Sequence, residues 1–431
     1  MRNSYHGKWF MLSIVSLGLG GGFAFLIGMA RAPFAEKYFP QNYFQHALVG
    51  HVNLAILFWL LLSTMVVWSY HLKTPGLKPA LWLAGIGTAL VAFAALFGGG
   101  DAVLNNYVPA LVNPVFFAGL ALFFTGFSMN VFRFAKEAAA NLASDDMVLN
   151  AIGAGVMIGI VLAAAVAVSL VKLGPDINDY QQQMYYERLF WTPGHIQQFL
   201  NGSMLAAVWY ALARLATGGE LKFWPVLKAA NKIFIASSVL LFSLLFFLDP
   251  MDRPMRIGAE IIYGIGLGIP LFMHIANILR QVKRDFSRPT TVALFFSIAI
   301  YLYGIFIAYG GFNNDTLVPA HYHGAVTALT LALMGFAWHM LTKDGFAIAF
   351  PRLAKTQPYI YGVGMILFIS GLFVSGIFGA PRKTPGTAWT DNPVVLASMS
   401  LMGIGTLLSV VGGIAFVLYV AATLIKNRRA A

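Results

Sequence analysis

Long apolar runs alternate with short polar interruptions from one end of the chain to the other. Twelve runs, at 10–29, 48–70, 80–98, 109–134, 147–173, 191–213, 225–248, 257–279, 291–309, 318–341, 359–378 and 396–424, are each long enough to cross the hydrocarbon core of a bilayer as an α-helix. The predicted fold class is all-α integral membrane, with twelve transmembrane helices in a single domain over 1–431 and no room for a separate soluble domain. The first run is too long, and too poor in a small-residue cleavage site, to read as a removable signal peptide.

Composition agrees, with 59% hydrophobic and 10% charged residues. A net charge of +12 raises nucleic acid as a partner, but the basic residues are spread over short loops. Of the 28 Lys and Arg, 20 fall on one set of alternate loops and 8 on the other. That asymmetry places both termini in the cytoplasm and makes topology, rather than nucleic acid, the reason for the charge. The absence of cysteine excludes disulfides, iron–sulfur ligation, thiolate haem and thioether haem attachment. Any metal would be held by His, Met, Tyr or carboxylate.

Candidate chemistry gathers on histidines. In Pro319-Ala320-His321-Tyr322-His323-Gly324-Ala325 the two imidazoles are two residues apart on a helix, about 200° of rotation, so they leave opposite faces and one helix can serve two metal centres. The plain alternative is an interfacial pair bonded to water and loop backbone. Histidine is costly in lipid and usually marks a functional site. With both termini inside, even-numbered helices run inward from the outer face, so His46 and His51, His195, and His321 and His323 open the second, sixth and tenth helices at similar depth. A shared metal or haem layer follows. His46 and His51 are separated by about 140° and about 7.5 Å of rise and cannot face one ligand; His51 is the deeper, and His46 is read as interfacial. His6, His71 and His339 fall near the cytoplasmic ends, and His274 reads as a buried, bonded histidine rather than a ligand. Gly20-Gly21-Gly22 reads as a close-packing face against another helix or a flat cofactor. The loop 174–188 is either a docking surface or an ordinary solvated loop.

Twelve helices with histidines opening the second, sixth and tenth resemble subunit I of the haem–copper oxidase superfamily. Ala320-His321-Tyr322-His323 is similar to that family's His-x-His, which implies His321 as proximal ligand of a high-spin haem and His323 as ligand of a low-spin haem. The His51-x-Asn segment is similar to the ligand opposite, implying a bis-histidine pair. Pro381-Arg382-Lys383 resembles a Pro-Arg-Arg whose cations hold haem propionates, a role that charge-assisted bonds suit. Trp191-Thr192-Pro193-Gly194-His195 resembles the motif whose histidine binds copper.

Departures follow. Phe199 stands where one branch has a tyrosine, and Gln197 where a glutamate is often found. The seventh run ends Ser243-Leu244-Leu245-Phe246-Phe247-Leu248-Asp249-Pro250, with Leu244 and Leu245 at the positions of two further copper ligands, so a three-histidine copper site is not expected. A histidine–carboxylate set using Glu260, with Asp249 and Asp252 nearby, would suit non-haem iron; the alternative pairs Asp249 and Asp252 with Arg253 or Arg256. The run 257–279 has no lysine and 69–74 has no aspartate, so neither of the family's inner proton routes is evident.

The resemblance implies a di-haem subunit of a respiratory complex in the cell inner membrane. Its haems would be b-type, with non-haem iron open and copper not expected. It would reduce oxygen or nitric oxide without pumping protons, with His195 and Glu260 catalytic and His51, His321, His323, Arg382 and Lys383 binding cofactor. Implied partners are a c-type cytochrome or cupredoxin-like donor subunit on the outer face and other membrane subunits. A non-catalytic haem-binding relay is the alternative.

Overall fold

The structure is a computed structural model that describes residues 4–40, 43–174, 182–219, 221–309 and 315–427. Among the described residues twelve helices are long and apolar enough to span a membrane: α1 (Tyr5–Met29), α2 (Phe44–His71), α3 (Lys78–Gly98), α4 (Pro114–Asn141), α5 (Met147–Leu173), α6 (Gln182–Thr217), α7 (Val226–Leu244), α8 (Arg253–Leu279), α9 (Pro289–Ala308), α10 (Leu317–Lys343), α11 (Pro351–Ile377) and α12 (Pro393–Lys426). The shortest has 19 residues, about 28 Å at 1.5 Å per residue, against a hydrocarbon core of about 30 Å. Helices satisfy every backbone donor and acceptor within the segment, which lipid requires.

Several boundaries differ from the hydropathy pattern, and two of them bear on the candidate site. Residues 109–113 are not helical. β2 (Ala110–Leu111) pairs antiparallel with β1 (Ala102–Val103), and α4 starts at Pro114 under the Asn113 cap, whose Oδ1 accepts from the Val115 N–H at 2.8 Å. The sixth helix starts at Gln182 rather than 191, so much of the loop expected over 174–188 is helix, and 175–181 lie outside the described residues. Its polar N-terminal turns hide it from a hydropathy window.

The chain divides into two compact units, chiefly Ser13–Trp59 with Lys283–Ala431, and Asn3–Leu12 with Leu60–Val282. In the first, α9 packs along α10 and α11 along α12; in the second, α3 on α4, α4 on α5 and α5 on α6. Several buried polar side chains in the first unit are returned to backbone or to one another. Ser16 Oγ donates to the Leu54 carbonyl (2.7 Å), Ser297 Oγ to that of Ala328 (2.6 Å), and Trp59 Nε1 to Thr330 Oγ1 (3.1 Å).

The apolar windows of α2, α6 and α10 are 78%, 83% and 83% buried, against 33–56% in the other nine. These three enclosed helices carry His51, His195, and His321 with His323. A helix shielded from lipid by its neighbours is where a polar side chain costs least.

Candidate functional site

The same device orients each of these four histidines. Nδ1 of His51 faces the Gly20 carbonyl (3.1 Å), of His195 that of Trp191 (2.7 Å), of His321 that of Gly304 (2.8 Å) and of His323 that of Pro319 (2.7 Å). A carbonyl only accepts, so each neutral ring carries its proton on Nδ1 and leaves the Nε2 lone pair as the basic site. This is how metal-binding imidazoles are commonly set.

Within the first unit the His51 and His323 rings lie nearly parallel, 9° apart, with centres 6.4 Å from one another. Two imidazoles bound to one metal at about 2.0–2.1 Å, each ring centre about 1.1 Å behind its nitrogen, would set the centres about 6.2–6.4 Å apart. The pair fits a metal held between two histidines. Local sequence builds it. A π-helical segment, Val52–Phe58, follows His51 directly, a distortion frequent at functional sites. Gly20 lets α1 come close to α2, since a Cβ there would stand 2.5 Å from the Ala55 nitrogen. Gly21 and Gly22 face open space, so only the first of the three glycines closes a helix contact. Gly324 does the same for α9 and α10, its Cβ position lying 2.4 Å from the Gly304 Cα. That contact brings the Gly304 carbonyl to His321.

Arg382 and Lys383 sit in the loop after α11. Lys383 has φ +59°, one of two non-glycine residues with positive φ among those described, a strain of roughly 1–3 kcal/mol that recurs at binding sites. The loop is pinned to α10 and to the segment after α1. Thr316 N–H donates to the Ala380 carbonyl, and Gly386 N–H to that of Ala30, both at 2.9 Å. Arg31 Nη2 reaches the Pro381 carbonyl at 2.9 Å. Nothing in the sequence singles out Arg31. A lone arginine at the end of an apolar run gave no motif to flag it, and only the loop pairing shows that it belongs with Pro381.

In the second unit His195 has different surroundings. Its Nε2 accepts from the Tyr107 hydroxyl at 2.8 Å, so both ring nitrogens are engaged. Burial pushes the Tyr107 phenol well above its ordinary value and keeps it a donor. Tyr107 lies between the two strands of the hairpin. Asn105 Oδ1 accepts from the N–H groups of Tyr107 (3.2 Å) and Val108 (2.9 Å), and Asn106 bonds Glu187. Gly194 makes the seat, because a Cβ there would be 2.1 Å from the Tyr107 ring. Trp191 lies 3.8 Å from the His195 ring centre, and Tyr263 stacks over His195 at 5.2 Å and donates its hydroxyl to the His195 carbonyl at 2.9 Å. Phe199 stacks on Tyr263 in turn.

The carboxylate set expected beside His195 is not what the structure builds. Glu260 is exposed, on the face of its helix opposite buried Met255, Ala259 and Ile262. Asp249 pairs with Arg188 at 2.8 Å, not with Arg253 or Arg256. Gln197 is buried, and Gln198 accepts from Asn201. Among the described residues no three His, Asp or Glu side chains converge. One imidazole already committed to a tyrosine does not fit a divalent copper, which draws its affinity from several nitrogens in a set geometry.

His274, fully buried, bonds Tyr210 Oη (3.0 Å) and Asn231 Oδ1 (3.1 Å), and Asn231 continues to Asn150 (2.8 Å). This is the bonded core histidine expected of it. His46, half-buried at the start of α2, stacks on Tyr43.

A helical membrane bundle with paired histidines on its enclosed helices defines a class, and comparison supplies the family. Residues 6–415 match the family described as cytochrome c and quinol oxidase polypeptide I, and the chain belongs to it. It is therefore a haem–copper oxidase subunit I-like multi-pass membrane protein of the electron-transport class, whose standard location is the inner membrane. It is similar to an uncharacterized protein of Aquifex aeolicus (strain VF5), 31% identical over 81% of this chain and 88% of the relative. It is also similar to uncharacterized protein RP382 of Rickettsia prowazekii (strain Madrid E), 29% identical over 96% of this chain and 95% of the relative. Among solved structures, a haem–copper terminal oxidase dimer matches with TM-score 0.70 over 97% of this chain and 83% of that one, at 17% identity. That likeness supports the fold.

Proposed function

We propose that the chain is the di-haem subunit of a respiratory membrane complex, reducing a diatomic gas, oxygen or nitric oxide, without copper and without proton pumping. His51 and His323 would hold a low-spin haem and His321 a second haem. The observation that carries this reading is the near-parallel His51–His323 pair at 6.4 Å. Bound haem would supply one-electron transfer and, for a reductase, a site for a diatomic molecule. The chain's own contribution is to fix each imidazole tautomer through a backbone carbonyl and to offer Arg382 and Lys383 to carboxylate side groups of the cofactor. The missing lysine in α8 and the missing aspartate in 69–74 support a non-pumping subunit. Electrons would come from a c-type cytochrome or cupredoxin-like partner, with both termini on the opposite, cytoplasmic side.

A second reading, a non-catalytic electron relay, is favoured by one observation: Tyr107 and the Trp191 carbonyl occupy both nitrogens of His195. Haem assay, copper and iron counts and a carbon monoxide difference spectrum of the reduced purified protein separate the two. Two haems, no stoichiometric copper and carbon monoxide binding support the reductase. Two haems that bind none support the relay, and a third iron points to nitric oxide chemistry. One copper per chain would overturn the copper-free site, and absence of haem would overturn both readings.

A further inference from the structure

Arg31 stands just beyond α1, with 9% of its surface exposed. Its guanidinium makes one bond, from Nη2 to the Pro381 carbonyl at 2.9 Å. Nε is buried with no partner, and no carboxylate pairs with the group among the described residues. Burial lowers its pKa to about 10, which still leaves it charged at neutral pH. An enclosed cation with a donor left over is unfavourable unless an anion completes it. Its surroundings narrow the choice of anion. Pro381 opens the loop that carries Arg382 and Lys383. Tyr322, between His321 and His323, lies in electrostatic reach of both Arg31 and Arg382. The Ala380–Thr316, Gly386–Ala30 and Thr387–Glu36 bonds hold these segments together.

We infer that Arg31 binds a propionate carboxylate of the haem held by His51 and His323, as a third cation beside Arg382 and Lys383. The inference rests on the haem reading above. The guanidinium fork suits a carboxylate better than the point charge of a lysine does, because it presents two parallel donors in one plane. A lipid phosphate could meet the same fork, so the test has to identify the anion.

The test uses haem-loaded protein from cells fed a carboxyl-labelled haem precursor, comparing wild type, Arg31→Gln and Arg31→Lys. Three quantities are read: haem content, the midpoint potential of the low-spin haem, and the label-sensitive carboxylate bands in reduced-minus-oxidised infrared spectra. Removing a cation favours the more positive ferric form, so Arg31→Gln should lower the potential and move the labelled bands. Arg31→Lys should keep the potential nearer wild type while still moving the bands, because the charge remains and the fork does not. Unmoved bands in Arg31→Gln overturn the inference, and a shifted potential with unmoved bands assigns Arg31 to another anion, such as a lipid phosphate. If Arg31→Gln does not accumulate, unmoved bands in Arg31→Lys overturn it equally. Haem in the wild type with insensitive bands refutes this inference alone, whereas a wild type without haem refutes the haem reading as well.

Discussion

In the first unit two histidine rings lie parallel, each bonding a carbonyl through Nδ1, whereas in the second His195 and His274 have both ring nitrogens bonded. His51 and His323 each bond one carbonyl through Nδ1 and lie parallel at a spacing that matches a shared metal. His195 bonds a carbonyl in the same way but spends its other nitrogen on Tyr107, and His274 spends both on Tyr210 and Asn231. A histidine in an enclosed helix is thus not a ligand by virtue of depth. The partner of the second nitrogen decides. For His195 and His274 the polypeptide supplies that partner; for His51 and His323 the proposed partner is a bound haem.

The largest effect should come from His323→Ala or His51→Ala. Either removes half of the pair, so the low-spin absorption signature should disappear from reduced-minus-oxidised spectra while a signal bound through His321 survives. An unchanged spectrum would end the comparison, because the parallel rings would then have no ligand to share.

His274→Ala should do the reverse, leaving spectra alone and lowering stability. It leaves the Tyr210 hydroxyl proton and Asn231 Oδ1 without the ring that bonds them, while Asn277 and Asn150 still hold the same side chains, at about 1–3 kcal/mol for each unsatisfied group. Thermal unfolding in detergent would show the loss, and a changed haem spectrum would mean that the histidine is not simply core. Next in size is Gly324→Ala. The added Cβ meets the Gly304 backbone rather than a pliable side chain, and overpacking of this kind costs typically about 1–3 kcal/mol. As α9 and α10 part, the His321–Gly304 bond lengthens, so the high-spin spectrum should change more than the low-spin one.

Most of the first unit's candidate site is legible in the sequence. His51, His321 and His323 stand out because histidine is rare in apolar runs, and helical periodicity sends the last two to opposite faces. Arg31 is not legible, since its meaning depends on a contact with Pro381, which lies at the far end of the chain in sequence. The second unit resists reading for a related reason. Tyr107 sits in a hairpin of two-residue strands, too short for any period to register, and its link to His195 is made by Gly194, whose role is the absence of a side chain. The rarity of a carboxylate in an apolar helix points to Glu260, but rarity does not tell which face it occupies. The buried face of α8, carried by Met255, Ala259 and Ile262, turns it outward.

The smallest expected effect tests the second unit's half of the comparison most directly. Tyr107→Phe keeps the ring in its seat against Gly194 and removes only the hydroxyl that donates to His195 Nε2. A single hydrogen bond lost in this way costs roughly 0.5–1.5 kcal/mol, visible as a modest drop in unfolding temperature. Haem spectra and potentials should not move, because His195 in this reading is held by protein and serves no cofactor. Stoichiometric copper should not appear either, since one released imidazole is a poor site for a divalent ion without further nitrogens. A Tyr107→Phe protein that gained a bound metal, or whose high-spin spectrum or carbon monoxide binding changed, would show that the hydroxyl had been gating a functional His195. The tyrosine would then be a stopper on a working site, and the contrast between the two units would be one of state rather than of kind.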